Sequence, residues 1–229
     1  MSKKCEKMNG DLTIILAYMN GDLRYTCGGK VDLCMDKPVF KRKIYDEIYE
    51  WKENRSDKYA LLIKGARRVG KSTIAEEFAK KEFKSYILID FAHTSKAIID
   101  LFDDTYDLDF FFLQLQQLMG IRLYEKESVI IFDEVQLFPK ARQAIKYLVA
   151  DGRYKYIETG SLLSIKKNTK DILIPSEEHK ISMFPMDFEE FLWAIGDEVS
   201  AETIRHLIKN KKPAGNAMHR NLMRIFRLY

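Results

Sequence analysis

Residues 65–72 read Gly-Ala-Arg-Arg-Val-Gly-Lys-Ser, and no other stretch constrains the chain as much. The octet fits GxxxxGK[ST] at every fixed position. Its setting also fits: the apolar run Tyr59 to Ile63 reads as a buried strand, and Thr73 to Phe83 reads as a helix. A strand that turns into a helix around a small anion needs backbone freedom, which Gly65 and Gly70 supply. Loop amides and the start of the helix then aim partial positive charge at one point. Lys71 adds a mobile cation for the β- and γ-phosphates, and Ser72 a hydroxyl ligand for magnesium.

The rest of the pattern supplies a matching scaffold. Phe40, Ile44, Ile48 and Trp51 recur at helical spacing. Ser85 to Phe91 reads as a strand, and Leu108, Phe111, Leu115 and Leu118 as a helical stripe. Ser128 to Phe132 is a continuous apolar run suited to burial on both faces. Pro139 opens a helix with Ile145, Leu148 and Val149 on its apolar side. Tyr154 to Ile157 reads as a fourth strand and Lys180 to Phe184 as a fifth. Strands alternating with helices predict a parallel sheet, with ligands at the carboxyl ends of its strands.

One such end carries two acids. Val129 to Phe132 runs straight into Asp133 and Glu134. An acid there holds magnesium through its water shell, the role expected of Asp133. Glu134 then orients and activates an attacking water as general base. The competing reading is that both acids cap the following helix. A glutamate directly after the strand aspartate also predicts an extra strand between this one and the strand before the loop. Tyr154 to Ile157 is the candidate, which gives the order 5-1-4-3-2. Glu158-Thr159-Gly160-Ser161 follows it. Thr159 or Ser161 there is placed to sense a γ-phosphate, unless the stretch is a plain glycine turn.

Composition narrows the class. The chain has 229 residues, 46% hydrophobic, with a formal charge of +4, which excludes a disordered or collagen-like protein. Both charge signs are interspersed, so the balance does not itself argue for nucleic acid. Cys5, Cys27 and Cys34 are an odd set without CxxC spacing and read as reduced thiols of a cytoplasmic protein. No apolar run approaches the ~20 residues of a membrane span. Residues 1–36 show turn signals and no period. Met218, Leu222, Ile225 and Tyr229 begin an amphipathic helix that stops without an end signal, so truncation is expected.

Together these blocks resemble the prokaryotic predicted ATPases of the AAA+ superfamily that carry a C-terminal domain of unknown function. The matching stretches are KRKIYDEIYEWKE, LLIKGARRVGKSTIAEEFAK, YILIDF, IIFDEVQLFPKARQAIKYLV, YIETGSLLSI, ILIPSEE and FPMDFEEFLWA. The specific part is DEVQ with its following proline, TGS, and the block Pro185, Phe188, Glu190, Phe191. The resemblance implies an α/β, three-layer P-loop NTPase with a parallel sheet of order 5-1-4-3-2 and C-terminal helices. It divides the chain into an unplaced extension at 1–36, an ATPase core at 37–196 and the helical start of a truncated C-terminal domain at 197–229. It implies ATP and Mg2+ as cofactors. Nucleotide contacts map onto Gly65, Ala66, Arg67, Arg68, Val69, Gly70, Lys71, Ser72 and Thr73. Metal contacts map onto Ser72 and Asp133, and catalysis onto Lys71 and Glu134. Gln136 either positions water, senses nucleotide, or starts a helix.

Two departures matter. Many relatives carry an arginine shortly before the Pro185 block, whereas here none lies between Arg153 and Arg205. A trans arginine finger is worth ~10³–10⁵ in rate, so slow turnover is expected. Lys166, Lys167 and Lys170 offer charge there without the planar fork. Residues 1–34 also look additional to the family, either an upstream start before Met35 or an N-terminal adaptor.

Weaker signals point to scaffold. Asp100, Asp103, Asp104, Asp107 and Asp109 lack calcium-loop spacing and read as a solvated loop. Phe110 to Phe112 reads as core with one ring facing elsewhere. His93, His179, His206 and His219 show no ligand pairing. Lys209, Lys211, Lys212, Arg220, Arg224 and Arg227 make a basic C-terminus that could track DNA phosphates, or form a soluble helix face or a domain seam. The expected function is Mg-dependent ATP hydrolysis that drives or gates a change in an unidentified protein partner or the absent second domain. The alternative is a slow nucleotide-dependent switch acting on protein or DNA.

Overall fold

A computed structural model describes residues 40–103, 107–161 and 175–229. The cysteines, Asp104, and the three lysines at 166, 167 and 170 lie outside the described residues. The described part forms two compact units, Lys43–Pro185 and a smaller one of Met186–Tyr229 with residues 40–42.

The larger unit contains five parallel strands: β1 (Ala60–Gly65), β2 (Ser85–Asp90), β3 (Ser128–Asp133), β4 (Lys155–Ser161) and β5 (Glu178–Met183). Their spatial order is β2-β3-β4-β1-β5, the predicted 5-1-4-3-2 read from the other edge. Central strands β3 and β4 are buried at every position, as their unbroken apolar runs require.

Successive residues of each strand face opposite layers. Leu61, Ile63, Val129, Ile131 and Ile157 meet α1 (Ile44–Asn54) and α2 (Lys71–Glu82) through Ile48, Trp51, Ile74 and Phe78. Leu62, Ile130, Phe132 and Tyr156 face the other way. There they meet α3 (Lys96–Leu101), α4 (Leu108–Met119) and α5 (Pro139–Asp151). Phe102 centres this second layer, its ring 5.3–5.9 Å from Phe91, Phe111, Phe132 and Phe138. Phe111 and Phe112 are buried whereas Phe110 is half exposed, so one ring of the triplet does face elsewhere.

The acidic stretch is more structured than a solvated loop. Asp100 lies within α3, and the Asp107 side chain caps α4 by accepting from the Phe110 amide. Asp103 pairs with Lys140, and Asp109 with Arg153. The fourth strand also outruns its apolar stretch. Residues 158–161 continue β4, and Gly160 and Ser161 pair with Lys64 and Gly65. No glycine turn forms there.

The smaller unit contains α6 (Phe188–Ala194), α7 (Glu198–Lys209) and α8 (Asn216–Phe226). Asp187 and Glu190 form a reciprocal capping box at α6. Buried Glu190 also pairs with Arg42 at 3.2 Å. Phe188 contacts Phe226 and Tyr229, and the Tyr229 hydroxyl donates to the Met186 carbonyl. The Pro185 block is thus a helix start with an aromatic cluster. Met218, Leu222 and Ile225 are half-buried on α8. Among the described residues no helix is long and apolar enough to cross a membrane.

One buried group makes stability depend on pH. Glu158 is fully buried, and neither carboxyl oxygen has a hydrogen-bond partner among the described residues. The nearby acid Glu178 is held in a two-pronged pair by Arg142, at 2.6 and 2.8 Å. Burial, reinforced by the Glu178 charge, holds the Glu158 carboxyl well above the usual carboxylate range. Below ~4.3 both folded and unfolded chains carry this proton. Above it the unfolded chain releases the proton and the folded chain retains it, so stability falls as pH rises. Unfolding free energies from urea titrations at about pH 5 and about pH 8 should therefore drop for the parent, by up to about 1.4 kcal/mol per pH unit from this group. Glu158→Gln should flatten the slope; an unchanged slope would show that the group ionises in place.

Candidate phosphate site at the carboxyl ends of the strands

The loop sits where β1 stops. Gly65 ends β1 with Ser161 of β4 on one side and Met183 of β5 on the other. A Cβ on Gly65 would collide with the Met183 carbonyl oxygen, so the residue must be glycine for the strand to end this tightly. The turn then passes through two left-handed residues, Arg68 (φ 62°) and Gly70 (φ 95°). Arg67 and Arg68 are exposed on the loop, and α2 begins at Lys71. By helix geometry its first amides have no acceptor within the helix.

Lys71 is 4% exposed, and its Nζ donates to the Ala66 carbonyl at 2.8 Å, across the base of the loop. Burial lowers its pKa, against the opposing pull of Glu134 and Asp133. The cation is already held over the loop and partly stripped of water. Such a charge gains strongly from an anion brought beside it.

Asp133 is the meeting point. Alternation along β3 puts it on the α2 side of the sheet with Ile131, and alternation along β4 puts Thr159 on that same side with Ile157. Ser72 Oγ donates to Asp133 Oδ1 at 2.7 Å. Thr159 Oγ1 donates to the same oxygen and accepts from the Glu134 amide at 3.3 Å. Glu134 itself is left-handed (φ 53°), a conformation costing a non-glycine residue about 1–3 kcal/mol and concentrated at functional sites. It leads into the 3₁₀ turn Val135–Leu137. Gln136 in that turn donates its side-chain amide to Glu134 Oε2, and its Oε1 accepts from the Ser161 amide at 3.3 Å. The two acids therefore do not merely cap a helix: the helix that follows, α5, starts only at Pro139.

The structure thus joins Lys71, Ser72, Asp133, Glu134 and Thr159 at one end of the sheet. Ser161 joins through its backbone amide. Asp90, which no sequence motif marks, ends β2 in register with Asp133 and contacts the His93 ring at 2.7 Å. Arg142 and Glu158 are charged residues buried away from solvent. Both were visible as charges set into apolar patterns, Arg142 three residues before Ile145 and Glu158 directly after Ile157.

The AAA domain family model matches residues 57–192, which covers both the loop and the acidic strand end. The chain belongs to this AAA domain family. That membership supports a nucleotide-binding protein with ATPase activity. Among solved structures, the chain is similar to Hsp104 in its closed state with ATPγS and FITC-casein. The match is 16% identical over 71% of this chain and 29% of that one, with a TM-score of 0.45. It is also similar to PCH-2 of C. elegans, 11% identical over 90% of this chain and 48% of that one, with a TM-score of 0.33. The chain therefore spans less than half of the length of either. A search of curated proteins gave no match.

Thr159→Val should test the junction directly. It removes the donor to Asp133 and leaves the half-buried Glu134 amide without this acceptor, a loss of about 1–3 kcal/mol in urea unfolding. Thr159→Ser should recover most of it. Equal midpoints for parent and valine variant would show that the hydroxyl is not part of the junction.

Proposed function

We propose that this protein binds MgATP at the Gly65–Thr73 loop and hydrolyses it to ADP and phosphate. The observation that carries the reading is the Ser72–Asp133 hydrogen bond. It brings the hydroxyl that ends the loop and the acid that ends β3 to one point, although they are 61 residues apart in sequence.

In this reading the loop amides from Gly65 to Thr73, including those of Ala66, Arg67, Arg68 and Val69, wrap the phosphates. Lys71 neutralises the β- and γ-phosphates, moving its Nζ from the Ala66 carbonyl to the anion. Ser72 and Asp133 fit a hard cation, being an oxygen pair already in contact. Magnesium bound there would offset phosphate charge and withdraw electrons from the γ-phosphorus. Glu134 accepts a proton from the attacking water as its oxygen bonds to the γ-phosphorus. The bond from that phosphorus to the bridging oxygen breaks, and ADP leaves. Thr159 lies beside both acids and would report the γ-phosphate to β4, with the Ser161 amide next in line.

The Lys43–Pro185 unit would form this ATPase core, and the helical unit of Met186–Tyr229 with residues 40–42 the part that it drives or gates. An unidentified protein partner could take that place, in a cytoplasmic setting that the three cysteines fit as reduced thiols. One feature favours the slower, switch-like version: no arginine lies between Arg153 and Arg205 to serve a neighbouring subunit as a finger.

Calorimetric binding and phosphate release test the assignment together. Lys71→Ala should lose ATP binding by at least about tenfold, equivalent to ~1.4 kcal/mol. Glu134→Gln should bind like the parent and release no phosphate. Parent-like ATP binding by Lys71→Ala would contradict the loop assignment.

A further inference from the structure

Glu134 is not free to point wherever the water arrives. Its Oε2 accepts from the Gln136 amide nitrogen. The other end of the same amide accepts from the Ser161 N–H at 3.3 Å. Gln136 is 5% exposed, and Ser161 is the ladder partner of Gly65, where the phosphate loop begins. A closed path therefore runs from the loop through β4 and Gln136 to the carboxylate. Thr159, two residues earlier on β4, holds the Glu134 amide. One strand end grips both the backbone and the side chain of the same residue.

We infer that Gln136 is a positioning residue for ATP hydrolysis: it fixes the Glu134 carboxylate relative to the phosphate loop by bridging it to the end of β4. The inference rests on Glu134 acting as the general base. The chemistry of the bridge selects glutamine. A carboxylate needs a donor and a backbone N–H needs an acceptor, and a primary amide offers both ends in one plane. Glutamate at 136 would keep the shape but place a second anion against Glu134. Methionine would keep approximate length and lose both bonds. Displacing a catalytic group by a fraction of an ångström costs rate far more than it costs binding.

The test uses the full chain, with turnover expressed per bound ATP so that any misfolded fraction cancels. Gln136→Met and Gln136→Glu should bind MgATP with Kd within about twofold of the parent, while kcat falls by about tenfold or more. Gln136→Met should cost no further rate in a Glu134→Asp background, where the shortened carboxylate has already left the amide. Two results overturn the inference. One is parent-like kcat in both Gln136 variants. The other is an equal loss from Gln136→Met in the parent and Glu134→Asp backgrounds, which would mean that Gln136 acts on something else. Glu134→Gln separates this from the underlying reading: if that variant turns over like the parent, the assignment of the base fails and Gln136 loses its role with it. If Glu134→Gln is inactive and both Gln136 variants hydrolyse normally, only the role of Gln136 fails.

Discussion

The hydrogen bond between Ser72 and Asp133 is the contact on which the rest of the site depends. Each partner is placed by a different physical cause. Ser72 is fixed because β1 must stop at Gly65, against the backbone of β5, and turn into α2. Asp133 is fixed because β3 is buried on both faces and its alternation carries the acid to the α2 side. A buried carboxylate needs donors, and two hydroxyls, from α2 and β4, meet that need at one oxygen.

The position of β4 makes the second hydroxyl available. If β1 and β3 were adjacent, no third strand end would lie between loop and acids. With β4 between them, Thr159 and Ser161 reach both sides: Ser161 pairs with Gly65, and Thr159 bonds to Asp133 and Glu134. The arrangement has a cost on the opposite face. The alternation that points Thr159 at the site points Glu158 into the α5 layer, where it is buried beside the Arg142–Glu178 pair without a hydrogen-bond partner among the described residues. Such a group lowers stability at neutral pH. It persists because β4 is surrounded by strands and helices and leaves the side chain no path to water.

Most of this was legible in the sequence because it depends on local rules. The loop octet and the apolar strand ending in Asp133 and Glu134 follow from spacing and periodicity, and the inserted fourth strand from the glutamate directly after the strand aspartate. What was not legible depends on distant partners. Nothing near Thr159 in sequence says that its hydroxyl meets Asp133 rather than solvent, because the strands carrying them are joined through α5. The true end of β4 was hidden because Glu158 to Ser161 is polar, and polar residues read as a turn unless neighbouring strands pair with them. Gln136 was ambiguous because its amide can serve a helix start or a carboxylate equally well, and only the 3₁₀ turn at Val135–Leu137 decides its direction. The described aspartates of the acidic run are exposed as expected, but the ion pairs of Asp103 and Asp109 were not legible because Lys140 and Arg153 lie on and after α5.

The proposed function depends most on whether the Ser72–Asp133 pair takes up magnesium together with ATP. The most direct measurement is ATP affinity with magnesium present and with magnesium chelated, for the parent, Ser72→Ala and Asp133→Asn. Magnesium should tighten binding to the parent by about tenfold or more, ~1.4 kcal/mol, and both variants should lose most of this gain. If both variants respond to magnesium as the parent does, the pair is only a structural contact and does not hold the metal.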